Sequence, residues 1–288
     1  MNPWLGEGRG FLTDWTTQQW VRATGRRLEL ASAPWLRGPA APPSGVREVD
    51  FERYAESEGL LMDPPRDDAG LIDDLAALRS ERFNPADIRP EVAAFYERTG
   101  RHRLHLWSQW SPGFRPLGRA VDAIFARRLG QLQLPLAPLD TSRGISSRLV
   151  RMCGPDGEAH TAWLRHRLPG GEVLYAGLYS VARPPLAPGP CVKVTFPLPN
   201  GNASVFLEPR ARPDGSLELL SAAHEFGDSG FYFVVVRDAD TVWAKHVPQL
   251  TERIHVYVDE LGELHTDHVL RLWKRTFLRL HYAMPLAG

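Results

Sequence analysis

The chain has 288 residues, of which 43% are hydrophobic, and its 34 basic and 34 acidic residues give a formal net charge of zero. This composition is ordinary for a soluble globular protein and excludes a wholly disordered chain. The two cysteines exclude a disulfide-dense scaffold, and the length allows one large or two ordinary domains.

Residues 1–140 combine helical patterns with proline-rich connections. Apolar residues at helical spacing, bounded by capping or stop residues, predict four helices in this region. An alternating stretch predicts one strand. The predicted helices cover residues 14–28, 70–79, 89–97 and 117–129, and the predicted strand covers residues 102–110.

Residues 141–288 change to a period of two, which is typical of strands with one buried face. Turn sequences such as Asp156-Gly157, Asn200-Gly201 and Asp214-Gly215 separate the alternating runs and favour hairpins. We count about nine to eleven consecutive antiparallel strands. Because an open sheet of that length leaves unpaired edges, we expect closure into a β-barrel of the lipocalin or fatty-acid-binding type. The chain is thus predicted to be mainly β, with an α-helical N-terminal region (residues 1–140) packed on a barrel formed by residues 141–288.

The turns also predict strand register. If Asn200-Gly201 form a two-residue loop, Phe196 faces Val205, and Lys193 faces Glu208 as a surface ion pair. A loop at Gly170-Gly171 places Trp163 opposite Leu178 and His166 opposite Tyr175. The segment 231–236 is apolar on both faces, so we expect the N-terminal helices to cover its outer side.

Residues 271–282 alternate as one predicted terminal strand. One face carries Arg275, Arg279 and His281, and the other face is largely apolar. The basic face is either solvated, or it binds the carboxylate or phosphate of a ligand. The spacing Arg279-x-His281 resembles the Arg-x-Tyr carboxylate site of fatty-acid-binding proteins, with histidine in place of tyrosine.

The hairpin 253–270 holds the densest set of titratable side chains. A two-residue loop at Leu261-Gly262 places His255 opposite His268, whereas a three-residue loop places His255 opposite Asp267. Either pair is a fragment of a metal site or an acid–base dyad, and the alternative is a solvated hairpin end. No third zinc ligand is evident in this hairpin, so we predict no metal.

A glycine-bracketed loop follows His224 and contains Asp228. It either presents these two side chains at the opening of the barrel, or it is a long hairpin loop whose glycines supply unusual backbone angles. No nucleophile elbow, P-loop or zinc-protease motif occurs in the chain.

The order of elements resembles that of uncharacterised bacterial domains with N-terminal helices and a lipocalin-like barrel. Three segments carry the resemblance: His160-Thr161-Ala162-Trp163-Leu164-Arg165, residues 175–180 and residues 214–219. The resemblance implies the barrel and no particular function.

These patterns lead to three alternative functions. The first is binding of a largely apolar small molecule with an anionic or polar head inside the barrel. The second is an acid–base enzyme, a cyclase, isomerase or hydrolase, on the same scaffold, and the third is an interaction module with a packed barrel. The ligand-binding candidates are Arg275, Arg279, His281, Trp163, Tyr175, Phe206, Phe231 and Phe233, and the catalytic candidates are His255, Asp267, His268, Asp228 and His224.

The expected partners follow from charge and hydropathy. Basic and acidic residues are balanced along the chain, so we predict no nucleic-acid partner. No apolar stretch reaches the length of a membrane span, and no secretory signal is evident, so we expect a cytoplasmic location. No motif calls for a cofactor, and the oligomeric state stays open.

Overall fold

The computed structural model describes residues 12–42, 46–112, 145–155, 157–167 and 173–287. Three α-helices lie in the first half: α1 (Leu12–Thr24), α2 (Glu48–Glu58) and α3 (Pro90–Glu97). The first strands are β1 (Arg26–Glu29), β2 (Leu61–Met62), β3 (His105–Trp110), β4 (Ile145–Cys153), β5 (Ala159–Arg167), β6 (Val173–Ala182) and β7 (Cys191–Leu198). The later strands are β8 (Gly201–Ala211), β9 (Leu217–Ser221), β10 (Gly230–Val236), β11 (Thr241–His246), β12 (Leu250–Val258), β13 (Leu264–Leu272) and β14 (Arg275–Ala283).

The predictions for the N-terminal half are partly confirmed. Helices α1 and α3 and strand β3 form where the patterns placed them, although α1 ends at Thr24. The predicted helix at 70–79 is wrong, because only a short 3₁₀ turn at Leu75–Leu78 forms there. The amides of Leu71 and Ile72 donate instead to the carbonyl of Tyr96 at the end of α3. Helix α2 was not predicted, and the predicted helix at 117–129 lies outside the described residues.

The β-rich half matches the expected strand count, with eleven strands from β4 to β14. Neighbouring strands pair antiparallel throughout, in the order β2-β4-β5-β6-β7-β8-β9-β12-β13-β14-β3. A closed barrel is not confirmed, because this hydrogen-bonded path through the described strands is open, with β2 and β3 at its ends. The boundary predicted near residue 140 lies outside the described residues and stays a prediction.

Strand β8 is the point where the sheet divides. Its first half pairs with β10, from Gly201 opposite Val235 to Phe206 opposite Gly230. Its last residues pair with β9, with Glu208 opposite Leu220. The hairpin β10–β11 is therefore a branch, to which β1 adds an outer strand, rather than a step of a simple meander.

The register predicted at Asn200-Gly201 is wrong by two residues. Phe196 pairs with Ala203 and Lys193 pairs with Phe206, because Gly201 already belongs to β8. A shift of two leaves each side chain on its predicted face, since side chains alternate with a period of two. The expected surface ion pair of Lys193 does not form: the side chain is buried and its ammonium group donates to the carbonyl of Arg37.

The register between β5 and β6 also differs from the prediction. Trp163 lies opposite Gly177 and Arg165 opposite Tyr175. A bulge between Arg165 and the next residue shifts the pairing. A bulge inserts one residue into one strand, which a count from the turn does not anticipate.

The predicted single strand at 271–282 is wrong, because a two-residue turn at Trp273-Lys274 divides it into β13 and β14. Both turn residues have left-handed backbone angles, with φ of 48° and 66°. Such turns normally contain Asn or Gly, so the Trp-Lys pair gives no sequence signal for a turn.

N-terminal segments cover both faces of β10 and β11. Helix α1 packs against them on one side, where Trp20 meets Phe233 edge to face. On the other side, Trp35 packs against Tyr232 in a buried apolar cluster. Helix α2 buries Phe51 against the outer face of β4–β6. These contacts leave the opposite face of the large sheet to line an interior space.

Candidate functional site

The sheet and the helices line a cavity of about 690 Å³. Its walls come from α1, α3 and strands in both branches of the sheet. Most of its surface is apolar, with lining side chains that include Val194, Phe196, Val205, Phe231, Phe233, Ile254, Leu270 and Leu280. Cavities of this size and character hold drug-sized or lipid-sized molecules.

Alternation along β5 and β6 places polar groups in this apolar wall. Trp163 and Arg165 point into the cavity, while Leu164 between them points outward to the cluster beneath α2. On β6, Tyr175 and Tyr179 point inward on either side of Gly177. A Cβ atom at Gly177 would lie 2.8 Å from Oη of Tyr175, so glycine leaves room for this hydroxyl group.

Arg165 is the charged group at the centre of the site. The residue is 8% exposed, and its guanidinium carbon lies 3.6 Å from the ring centre of Trp163. The rings of Tyr175 and Tyr282 lie 4.7 Å and 5.4 Å from the same carbon. Its Nε has no hydrogen-bond partner, and none of the ion pairs among the described residues includes it. Aromatic rings thus surround the buried guanidinium group of Arg165, which has no counter-ion within the described portion of the chain.

Tyr175 and Tyr179 supply hydroxyl groups beside this cation. Their Oη atoms lie 2.8 Å apart and share a hydrogen bond. Burial raises the pKa of Tyr179 to about 12, and burial also raises the pKa of Tyr175. Both side chains therefore stay neutral near pH 7, and the hydroxyl group that accepts the shared hydrogen bond can donate to a ligand oxygen.

An imidazole–carboxylate pair occupies the β12–β13 wall. Nε2 of His268 lies 3.0 Å from Oε2 of Glu252, and both side chains are largely buried. Both residues line the cavity. The charge of Glu252 raises the pKa of Tyr179, whereas the charge of Arg165 lowers it. Tyr179 thus lies within electrostatic reach of both charged groups.

Four of the predicted ligand-binding residues line the cavity: Trp163, Tyr175, Phe231 and Phe233. Phe206 lies on the other face of β8, where it packs against Trp35 and Tyr232.

The predicted anion-binding residues lie on the opposite face of β14 from the cavity. Arg275 and Arg279 are exposed, and Nδ1 of His281 lies 2.8 Å from Oδ1 of Asp267. The inward positions of this strand are taken by Leu280 and Tyr282. The two arginine side chains therefore face solvent, as the first of the two interpretations of the basic face has it.

Of the predicted catalytic residues, His268 lines the cavity and the others do not. His255 lies opposite Asp267 in the β12–β13 register, which is the register predicted for a three-residue loop. Nε2 of His255 lies 2.8 Å from Oγ of the buried Ser216, and burial lowers the pKa of this imidazole.

The loop before β10 holds the other two catalytic candidates. His224 is exposed, and the Oδ1 atom of Asp228 accepts a hydrogen bond from the amide of Ser229. Neither side chain lines the cavity.

Three polar residues of the cavity, Arg165, Glu252 and Tyr179, were not predicted from the sequence. The segment 162–165 does carry a signal for the first of these, because Arg165 follows Trp163 on one face of a strand whose other face is apolar. Arginine is rarely buried, so an arginine on a strand that is covered on both sides is a candidate for a binding or catalytic residue.

One group outside the cavity has metal-ligand chemistry. Oxygen and nitrogen atoms of Asp259, Glu263 and His265 lie within 4.8 Å of one another at the β12–β13 turn. Glu263 is exposed, and His265 already contacts Asp259 at 3.2 Å. The arrangement is that of a solvated ion-pair cluster at a hairpin end.

Comparison with known proteins places the chain beside an uncharacterised bacterial protein. No family model matches the chain, and no solved structure matches it. The chain is similar to the uncharacterised membrane protein YndJ of Bacillus subtilis (strain 168), with 30% identity over 220 residues, or 75% of this chain. It spans 38% of the length of that relative. The resemblance to uncharacterised bacterial proteins is thus confirmed. None of the described helices is long and apolar enough to cross a bilayer.

Proposed function

We propose that the chain binds a largely apolar small molecule with an anionic head inside the cavity, and that Arg165 binds the head. The observation that carries this proposal is the buried guanidinium of Arg165, which has no counter-ion among the described residues. Burying a charge without a partner is unfavourable, and an anionic ligand would remove that penalty. The cytoplasmic location and the lack of a nucleic-acid partner stay predictions.

The chemistry of the walls narrows the class of ligand. A carboxylate at Arg165 can also accept a hydrogen bond from Tyr175 or Tyr179, whose hydroxyl groups are buried beside it. The remaining surface, formed by residues such as Phe196 and Ile254, offers only apolar contact. A fatty acyl, isoprenoid or polyketide acid combines both properties.

Filling the cavity tests this proposal. Ala203 lines the cavity opposite Phe196 and is nearly fully buried. We expect Ala203→Phe to occupy the space of the ligand and to weaken binding of a fluorescent long-chain fatty acid at least about tenfold. Titration followed by probe fluorescence measures the effect.

The matched control is Ala222→Phe, which adds the same ring at an exposed loop position. It should bind the probe as the unmodified protein does. Equal affinity in Ala203→Phe and the unmodified protein would contradict binding inside the cavity.

A second candidate function is acid–base catalysis on such a ligand, which the His268–Glu252 pair favours. Nε2 of His268 is hydrogen-bonded to the carboxylate of Glu252. The other ring nitrogen, Nδ1, is then the one that can transfer a proton to or from a ligand. In an isomerisation, the imidazole would take a proton from one carbon and return it to another, while Arg165 stabilises the oxyanion that forms.

The two functions can be distinguished by purifying Glu252→Gln and the unmodified protein from the same host. The compounds that co-purify with each protein are then compared. For an enzyme, we expect the variant to retain a different compound from the unmodified protein, separable by chromatography of the organic extracts. For a carrier, both extracts contain the same compound. Asp267→Asn, on the outer face of the same hairpin, serves as the control.

A further inference from the structure

The turn between β13 and β14 concentrates exposed positive charge around one tryptophan. Trp273 is 69% exposed. Arg271, Lys274 and Arg275 beside it are exposed as well, and none of the ion pairs among the described residues includes them. The combination of an exposed indole ring and unpaired basic side chains is typical of contacts with the headgroup region of a membrane.

The two-residue turn requires left-handed backbone angles, which Trp and Lys adopt less readily than Asn or Gly. Trp273 and Lys274 both have left-handed φ angles, of 48° and 66°. Asn-Gly would occupy such a turn with less strain, and a bulky side chain in this conformation is uncommon. Strain retained at a solvent-exposed position points to a role for the side chain itself.

The same turn adjoins one end of the cavity. Leu250, Leu272 and Phe277 line the cavity next to the turn and are half-buried. The amide of Trp273 donates to the carbonyl of Gln249, which ties the turn to this edge. At the other end of β13 and β14, Thr266 and Met284 also line the cavity but are buried.

The turn at the other end of strand β13 carries the opposite charge. The β12–β13 turn contains Asp259, Glu260 and Glu263 around Leu261, which is 86% exposed. An anionic surface therefore attracts the β13–β14 turn and repels the β12–β13 turn.

We propose that the segment 271–275 docks the protein on an anionic lipid surface, with Trp273 at the level of the headgroups and the basic side chains on lipid phosphates. This orientation places the end of the cavity that is lined by Leu250, Leu272 and Phe277 against the bilayer, from which an apolar ligand could enter. Docking itself requires no ligand, so it can be tested separately from the proposed function.

Co-sedimentation with vesicles tests the docking. We expect the full chain to bind vesicles of equal parts phosphatidylcholine and phosphatidylglycerol, and to bind pure phosphatidylcholine much more weakly. Each of Arg271→Gln and Arg275→Gln should weaken binding about fivefold, and both together about thirtyfold. Trp273→Asn should weaken binding at least about tenfold.

Thermal melting of the Trp273 variants and a control at Leu261 separate a loss of docking from a loss of folding. Asn and Gly both tolerate left-handed angles, so Trp273→Asn and Trp273→Gly should melt at or above the temperature of the unmodified protein. Leu261→Asn removes an exposed apolar side chain from the other hairpin end and should leave vesicle binding unchanged. The proposal is overturned if the Trp273 variants bind as well as the unmodified protein, if Leu261→Asn loses as much binding, or if both vesicle types bind equally.

Discussion

Replacing Arg165 with methionine is expected to weaken binding of a long-chain carboxylate by about 10- to 100-fold while leaving stability unchanged or higher. Methionine keeps an unbranched apolar side chain against Trp163 and removes the charge. The ligand loses its ionic partner, whereas the free protein loses a buried cation that has no counter-ion in the described structure. Loss of the cation–π contact offsets some of that gain.

Titration with the fluorescent fatty acid and thermal melting of the free protein measure the two effects. Arg279→Met is the matched control, because Arg279 is exposed on the outer face of β14. It also tests the anion-binding role that the sequence suggested for Arg279. Unchanged affinity in Arg165→Met, or an equal loss in Arg279→Met, would contradict the assignment of the head group to Arg165.

Replacing the buried Lys193 with methionine is expected to raise the free energy of unfolding, and the gain should depend on pH. Burial lowers the pKa of this ammonium group from 10.5 to about 7. Below pH 7 the lysine is charged in both states, so the folded state carries the full penalty of burying the charge. As pH rises toward 10.5, the folded state releases its proton before the unfolded state, and the penalty disappears.

The gain in Lys193→Met is therefore greatest at low pH, on the order of 4 kcal/mol, and fades as the solution becomes alkaline. Urea unfolding of both proteins at a series of pH values measures the difference. Lys245→Met is the control, because the ammonium group of Lys245 contacts the carbonyl of Thr24 at the surface. A gain for Lys193→Met that does not change with pH would show that the buried charge is not its cause.

Local patterns predicted the β-rich half well where the turn residues follow the usual rules. The alternation after residue 140 predicted the strand count and the antiparallel pairing. It did not predict the turn at Trp273-Lys274, whose residues are unusual for left-handed angles. It also did not predict the division of β8 between β9 and β10, because strand order depends on contacts far apart in the chain.

The sequence indicated part of the cavity lining, including the polar residues Tyr175 and His268, but not Arg165, Tyr179 or Glu252. Trp163 and Phe231 line the cavity, whereas Phe206, which is also a large aromatic residue on a covered strand, packs on the other face of the sheet. Arg165 shares a strand face with Trp163, so alternation places both on one side of β5, but the sequence does not show that this side is a cavity. Glu252 was missed because its partner, His268, lies on the next strand, and the register that pairs the strands was left open by the sequence.

Mass spectrometry of the freshly purified protein, under native and denaturing conditions, tests most directly whether the cavity holds an apolar acid. We expect a defined adduct that is present in the native spectrum and lost on denaturation, and an organic extract that contains an apolar acid. Arg165→Met purified in parallel should carry less of it. A native mass equal to that of the bare chain, with no apolar acid in the extract and no binding of added fatty acid, would contradict the presence of such a ligand in the cavity.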